Sequence, residues 1–153
     1  MEAVERLAGA VSLPGGAGGG VWVRGRGMRA GVPGGVVPSF GLYLGSGRAR
    51  ARFEGGFGWE QVWVEWPDFL LPRDRVLAVR EIVALRARAV RGELVEVACG
   101  GGVGRTGTVM ACLAVLGGLG APEAVEWARA RYHRRAVETA WQRRWVSRFA
   151  AEL

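Results

Sequence analysis

The sequence predicts an α/β fold in which a mostly parallel central sheet is flanked by helices and preceded by N-terminal strands. Strand-type apolar runs alternate with helical patterns in the second half of the chain, which is typical of a parallel sheet covered by helices. One buried strand, at residues 94–98, leads into a glycine-rich loop that opens a helix. With 153 residues, half of them hydrophobic, the chain can bury a core as one domain spanning residues 1–153.

Residues 1–55 predict short strands separated by loops. The strands are indicated by β-favouring residues bounded by glycine or proline, and they lie at 11–13, 21–23, 40–44 and 48–53. The glycine-rich segment at 14–20 predicts a hairpin or loop, with a flexible linker as the alternative. Residues 28–39 predict a second loop.

Residues 61–66 predict a further strand because their side chains alternate, and Pro67 stops it. A helix follows at 74–91, ended by Gly92, with its arginines on a solvated face. The buried face of this helix is expected to carry Val76, Val79, Val83, Ala87 and Val90.

Three helices are predicted after the glycine-rich loop. The helix at 106–116 is apolar nearly all round, so we expect it to be buried, with Cys112 as a core residue. Pro122 favours a helix start, which gives a helix at 121–132. A basic loop at 132–137 precedes the last helix, at 139–151.

Charge and cysteine content narrow the function classes. The net charge is +7, but an arginine-, glycine- and alanine-rich composition reflects source bias, so it favours anionic ligands without predicting a nucleic-acid partner. Two cysteines and one histidine exclude a disulfide framework and a metal cluster, so we expect no cofactor and a reduced, cytoplasmic setting. We expect no signal peptide, because the N-terminal segment MEAVERLAGAV lacks a basic start and a sustained apolar core. We expect no membrane partner, because no apolar run reaches the roughly 18 residues of a membrane helix.

The loop CGGGVGRTG, at 99–107, allows three interpretations. A nucleotide P-loop would need glycine in place of Cys99 and lysine in place of Arg105. A dinucleotide fingerprint fits 102–107, but only helices follow it. In the third interpretation, a Cys99 thiolate at a helix N-terminus is a nucleophile, and Arg105 binds two phosphate oxygens while loop amides bind the rest. Cys-x5-Arg alone is a weak signal, whereas the whole string is far more specific.

The string CGGGVGRTG resembles the signature loop, Cys-x5-Arg-Ser/Thr-Gly, of cysteine-dependent protein tyrosine and dual-specificity phosphatases, especially compact bacterial members. Trp66-Pro67-Asp68 resembles the family's mobile loop that supplies a general acid. Residues 139–142, TAWQ, resemble the loop whose glutamine positions water. The resemblance covers residues 60–146 and implies a cysteine-phosphatase-like sheet; residues 1–55 match nothing.

This resemblance implies a two-step mechanism without a metal. Cys99 would attack phosphorus to give a phosphocysteine, while Asp68 protonates the leaving oxygen. Asp68 would then act as base for a water placed by Gln142, and the Thr106 hydroxyl would stabilise the departing thiolate. The phosphate-binding loop would comprise Gly100, Gly101, Gly102, Val103, Gly104 and Arg105.

Several of these residues also have structural interpretations. Asp68 could serve a turn and Asp74 a helix cap. Gln142 fits a capping box with Thr139, a role that is compatible with catalysis. Ala98 stands where the family usually has histidine, which removes one contribution to the stability of the thiolate. In the central strand Glu96 is expected to pair with an arginine, and His133 is expected to be a surface or structural residue.

The sequence therefore predicts a phosphatase that hydrolyses phosphotyrosine, and also phosphoserine or phosphothreonine if the pocket is shallow, in a phosphorylated protein or peptide. The alternatives are a phosphatase for a small-molecule or lipid phosphate, and a non-catalytic phosphate-binding module. The uncharged residues at 100–104 argue against a lipid phosphate, because such sites often carry basic residues in the loop. The oligomeric state is not predicted.

Overall fold

The fold is built on a five-stranded sheet with the order β1-β2-β5-β3-β4. The computed structural model describes residues 5–16 and 20–153. The strands are β1 (Val11–Leu13), β2 (Val21–Gly27), β3 (Phe40–Gly45), β4 (Glu60–Glu65) and β5 (Val95–Cys99). Only β1 is antiparallel, to β2, and the other described pairs are parallel, which confirms the predicted sheet. Part of the predicted turn at 14–20, residues 17–19, lies outside the described residues.

Five α-helices accompany the sheet among the described residues. They are α1 (Gly47–Phe53), α2 (Arg75–Val90), α3 (Gly104–Leu116), α4 (Ala121–Arg131) and α5 (Ala140–Ala151). Helix α3 is buried along nearly its whole length, as predicted, and Cys112 is fully buried in it, which raises the pKa of its thiol. No helix of the described residues is long and apolar enough to cross a membrane.

The prediction of a strand at 48–53 is wrong, because these residues form α1. Ser46 caps the helix by accepting a hydrogen bond from the Ala49 amide at 3.2 Å. Arg50 and Glu54 form an ion pair one turn apart. Alternating arginine and alanine imitates a strand pattern, but both residues favour helices.

The predicted buried face of α2 is also wrong, although the helix is where the sequence places it. Asp74 caps the helix, and its buried residues are Ala78, Ile82, Leu85 and Ala89. Val76 is 74% exposed, and Val83 and Val90 are exposed as well. The helix carries two apolar stripes, and the stripe with the larger Leu and Ile side chains is the one that packs against the core.

The two faces of the sheet differ. The larger core, with Leu42 and Val97, packs against helices, while Tyr43 and Ala98 point to the opposite face, because side chains alternate along a strand. On that second face Tyr43 stacks on Phe57 with ring centroids 4.5 Å apart.

A buried ion cluster joins three strands on the second face. Glu96 accepts hydrogen bonds from Arg24 at 2.7 Å, from Arg26 at 2.8 Å and from the Tyr43 hydroxyl at 2.7 Å, so the predicted pairing of Glu96 with arginine is confirmed. Burial opposes ionisation of Glu96, but the hydrogen bonds of Arg26 and Tyr43 outweigh it and lower the pKa of the carboxyl. The cluster therefore holds a carboxylate between β2, β3 and β5.

On the other face of β2, glycines replace side chains. A methyl group at Gly25 would collide with the Tyr132 ring, and one at Gly27 would lie 2.8 Å from the Gly101 carbonyl carbon. The alternation Arg24-Gly25-Arg26-Gly27 thus places arginines toward Glu96 and lets the backbone approach the loop after β5. Strand β2 lies within residues 1–55, which resemble no known family, and yet it packs against the loop of the candidate site.

Candidate active site

Cys99 is the last residue of β5, and the loop from it ends where α3 begins, at Gly104. The thiol is buried, and the Gly102 amide donates a hydrogen bond to Sγ at 3.2 Å. Gly102 has φ +74°, and any side chain there would also collide with the backbone of Arg26 and Gly27. The sequence folds this loop tightly because glycine stands where the chain turns and where β2 approaches.

Two contacts from outside hold the loop in place. The Tyr132 hydroxyl, from the end of α4, donates a hydrogen bond to the Gly102 carbonyl. The Arg29 amide, in the short 3-10 turn Met28–Ala30 after β2, donates to the Gly100 carbonyl at 3.1 Å. Burial, and then the charge of Cys99, raise the pKa of Tyr132, so its hydroxyl keeps the proton that it donates.

Arg105 connects the loop to the predicted acid. Its Nη1 donates to the Trp66 carbonyl at 2.9 Å, and its Nη2 lies 3.4 Å from Oδ1 of Asp68. The Nε of Arg105 is buried without a hydrogen-bond partner within residues 5–16 and 20–153. The structure therefore brings the predicted phosphate-binding arginine and general acid together, and it leaves Arg105 with a donor that an oxyanion can use.

The loop at residues 66–72, named the acid loop after its predicted general acid, is a hydrogen-bonded turn. Trp66 is fully buried, donates from Nε1 to the Leu70 carbonyl at 2.8 Å, and packs on Trp145 with ring centroids 5.3 Å apart. Asp68 accepts a hydrogen bond from the Phe69 amide at 3.0 Å, and Phe69 has a left-handed φ of 61°. Asp68 thus serves the turn and also faces Arg105, with its side chain 55% exposed.

Gln142 caps α5 and also binds the acid loop. The Thr139 hydroxyl accepts from the Gln142 amide at 3.1 Å, and Gln142 Oε1 accepts from the Thr139 backbone amide at 3.4 Å, so the predicted capping box is confirmed. Gln142 Oε1 also accepts from the Glu138 amide at 2.9 Å. The Gln142 side chain is fully buried, and its Nε2 lies 3.5 Å from the Leu70 carbonyl oxygen. A hydrogen bond from the Trp141 indole to the Phe69 carbonyl adds a second link between α5 and this loop.

Thr106 and His133 lie apart from this contact network. The Thr106 hydroxyl is buried and has no hydrogen-bond partner in the described part of the chain, so the structure does not bond it to Cys99. His133 Nδ1 accepts from the Arg135 amide at 3.0 Å in the turn before α5, which agrees with a structural role.

A cleft of about 260 Å³ opens over the loop and contains three arginines that the sequence analysis missed. It is lined by Pro67, Asp68, Gly100 and Arg105, and also by Arg29, Arg48 and Arg52 with Ser46, Ala49 and Phe53. A methyl group at Gly100 would collide with Nη1 of Arg29 and lie 3.5 Å from Nη2 of Arg105, so two guanidinium groups flank this glycine. Ser46 as a cap and the i, i+4 spacing of Arg48 and Arg52 are the signals that could have found this wall.

Comparison with solved structures shows the same fold. Tk-PTP in its active form is 24% identical, with 76% of this chain and 80% of that chain covered and a TM-score of 0.66. Kinase associated phosphatase with its catalytic-site cysteine replaced by serine is 17% identical over 74% and 69%, with a TM-score of 0.62. PTPMT1 in complex with PI(5)P is 17% identical over 73% and 76%, with a TM-score of 0.55.

Comparison with family models identifies the chain at the level of sequence. The model described as the Swiss Army Knife protein, DSP-PTPase phosphatase domain, matches residues 73–150, a little more than half of the chain. No curated protein matches the sequence. The matched segment begins just after the acid loop and includes Cys99, Arg105 and Gln142. The chain therefore belongs to this DSP-PTPase phosphatase domain family, within the dual-specificity phosphatase superfamily.

Proposed function

We propose that this chain hydrolyses phosphate monoesters through a phosphocysteine intermediate on Cys99. The observation that carries the proposal is the position of the Arg105 guanidinium, which follows the Cys99 loop and lies 3.4 Å from the Asp68 carboxylate. Arg105 and Asp68 line a cleft together with Gly100, the residue next to Cys99. A nucleophile, an oxyanion-binding group and a proton donor would then lie close together. Membership of the DSP-PTPase phosphatase domain family supports the same chemistry.

The first step forms a sulfur–phosphorus bond and breaks the ester bond. The Cys99 thiolate attacks phosphorus, the leaving oxygen departs with the electron pair, and protonated Asp68 gives it a proton. Loop amides and the free donors of Arg105 hold the remaining phosphate oxygens. These donors supply the positive field, so we propose that the reaction needs no metal.

The second step returns the enzyme to its starting state. Asp68, now a carboxylate, takes a proton from a water that attacks phosphorus, and the sulfur–phosphorus bond breaks. Gln142 would place this water. The Thr106 hydroxyl, which has no hydrogen-bond partner among the described residues, would donate to the returning thiolate. The products are inorganic phosphate and the dephosphorylated substrate.

Two substrate classes are proposed. The first is phosphotyrosine in a protein or peptide, with phosphoserine and phosphothreonine accepted in a shallow cleft. The second is a small-molecule or lipid phosphate, and it is favoured by Arg29, Arg48 and Arg52 along the cleft. The sequence argued against a lipid phosphate because the loop at 100–104 is uncharged. In the structure, the positive charge of Arg29 lies next to that loop although Arg29 belongs to another part of the chain.

Hydrolysis of an aryl phosphate in the presence of a chelator tests the proposed function. We expect Cys99→Ser to abolish turnover, and Asp68→Asn to lower kcat by about 10²–10⁴-fold, the usual contribution of a general acid. Asp74→Asn is the matched control, because the only other aspartate caps α2 and asparagine caps helices equally well. Full activity of Cys99→Ser, or an inactive wild type, would contradict the proposal.

A further inference from the structure

Three arginines on two elements, the arginine wall, line part of the cleft. Arg48 and Arg52 stand one helical turn apart on α1, so they share a face of the helix. Arg29 reaches the same cleft from the turn after β2. Arg105 and Asp68 line the same cleft.

Within the described part of the chain, the arginines of this wall are not paired with carboxylates. Among residues 5–16 and 20–153, no carboxylate oxygen lies within 4.0 Å of a guanidinium nitrogen of Arg29, Arg48 or Arg52, whereas Arg50 on the same helix pairs with Glu54 at 2.7 Å. Asp68, the carboxylate in the cleft, lies 3.4 Å from Arg105. Like charges that share a cleft repel, and an anion between them removes that cost. The Arg52 guanidinium also lies 4.8 Å from the centre of the Phe53 ring, a contact that orients it.

A phosphate beside Cys99 would be bound by the loop amides and Arg105, with the Arg29 guanidinium next to Gly100. Arg48 and Arg52 line the same cleft of about 260 Å³ from a separate element, α1, so they are available for a second anionic group. Guanidinium groups bind phosphate through two parallel hydrogen bonds, a geometry that lysine or a neutral side chain does not offer.

We propose that Arg48 and Arg52, together with Arg29, bind a second phosphate group of the substrate, so that the preferred substrate carries two phosphates close together, as a free small molecule or as a lipid headgroup. This inference rests on the proposed function, since it takes the first phosphate to be the one that Cys99 attacks. The second phosphate is bound and not transferred.

Two aryl esters that differ in one anionic group test this site. The pair is 4-methylphenyl phosphate and 4-(phosphonomethyl)phenyl phosphate, whose phosphonate is not hydrolysed, so each ester undergoes one reaction. For the wild type we expect kcat/KM to be about tenfold higher for the phosphonate ester, the combined effect of two exposed charge pairs. The double variant Arg48→Gln/Arg52→Gln should lose most of this preference. Arg50→Gln, which removes the same charge from the same helix outside the cleft, should keep it.

The source of the second phosphate is tested separately. A free inositol bisphosphate and the same headgroup on a phosphoinositide in phosphatidylcholine vesicles are compared by phosphate release. The proposal is supported if the variant Arg48→Gln/Arg52→Gln releases less phosphate than the wild type from either compound. The compound that the wild type hydrolyses faster identifies the source of the second phosphate. If only a phosphotyrosine peptide with acidic neighbours loses kcat/KM in that variant, the second-phosphate site is overturned.

The outcomes separate this inference from the proposed function. A wild type that hydrolyses neither aryl ester, or does so equally with Cys99→Ser, overturns both. A wild type that hydrolyses both esters with equal kcat/KM, in a reaction that requires Cys99, overturns the second-phosphate site alone.

Discussion

Arg105 shows what a motif can and cannot predict about a single side chain. Its spacing from Cys99 predicted that it would lie at the far end of the same loop, and the structure places it one residue past the loop's end, as the second residue of α3. The carbonyl of Trp66 and the carboxylate of Asp68, its partners, follow a different strand, so their contact depends on the fold. Residues fixed by local spacing were found from sequence, while Arg29, Arg48 and Arg52 were missed because their common cleft exists only in three dimensions.

Tyr132 is a second residue that only the structure identifies, and it is predicted to position the loop. Tyr132→Phe removes the donor to the buried Gly102 carbonyl, so the free energy of unfolding should fall by about 1–2 kcal/mol. A less ordered loop should also lower kcat several-fold with little change in KM. Denaturant unfolding and aryl phosphate kinetics measure the two effects, and a variant that loses stability but keeps full kcat would show a structural role only.

The N-terminus of α5 is closed by a capping box and also contacts the acid loop through Gln142. Its capping box could be predicted because Thr139 and Gln142 are local in sequence. The link from Gln142 to Leu70 could not, since those residues are 72 positions apart. Two element predictions failed for a related reason. Alternating arginine and alanine fit a strand or a helix at 48–53, and α2 offers two apolar stripes, so tertiary packing made the choice.

A comparison of the single variants Thr139→Ala and Gln142→Ala distinguishes the capping role of Gln142 from its proposed catalytic role. Each removes half of the capping box, so each should lower the free energy of unfolding by about 1 kcal/mol. If Gln142 places the water, Gln142→Ala alone should slow breakdown of the phosphocysteine by about tenfold or more. Rapid-mixing kinetics would then show a burst of aryl alcohol followed by slow turnover. Equal turnover in the two variants would assign Gln142 to the cap.

At the scale of the whole molecule, the parallel sheet was predictable, whereas the role of its N-terminal strands was not. The strand, loop and helix around Cys99 are contiguous, so their order defines the centre of an α/β sheet. Strand β2 pairs with β5 from far away in sequence, as Arg24 and Glu96 are 72 residues apart. In the sequence, the only hint of the β2–β5 pairing was Glu96, because a carboxylate in a buried strand requires a cationic partner.

The Glu96 cluster predicts how stability depends on pH. Its folded-state pKa lies below the ordinary value of 4.5, so ionised Glu96 stabilises the fold above that pH, and this contribution is lost as pH falls through the folded-state pKa. Glu96→Gln should therefore cost about 3 kcal/mol at pH 7, because it leaves two arginines buried without their carboxylate. The difference from wild type should shrink below pH 4.5.

Chemical denaturation of both proteins across this pH range measures the effect. Glu54→Gln is the control, because its ion pair with Arg50 is exposed and should contribute less than about 0.5 kcal/mol. An equal loss of stability in Glu96→Gln at acidic and neutral pH would contradict the assignment.

The packing of Trp66 on Trp145 gives the acid loop a built-in optical reporter. Two indoles whose ring centres are 5.3 Å apart and inclined by 55° couple their electronic transitions, and such coupling depends steeply on separation and orientation. Any displacement of Trp66 relative to α5 therefore changes the near-ultraviolet circular dichroism of the unlabelled protein. The segment that carries Asp68, the proposed general acid, can be followed by this signal when substrate is added, with Trp145→Phe supplying the uncoupled baseline.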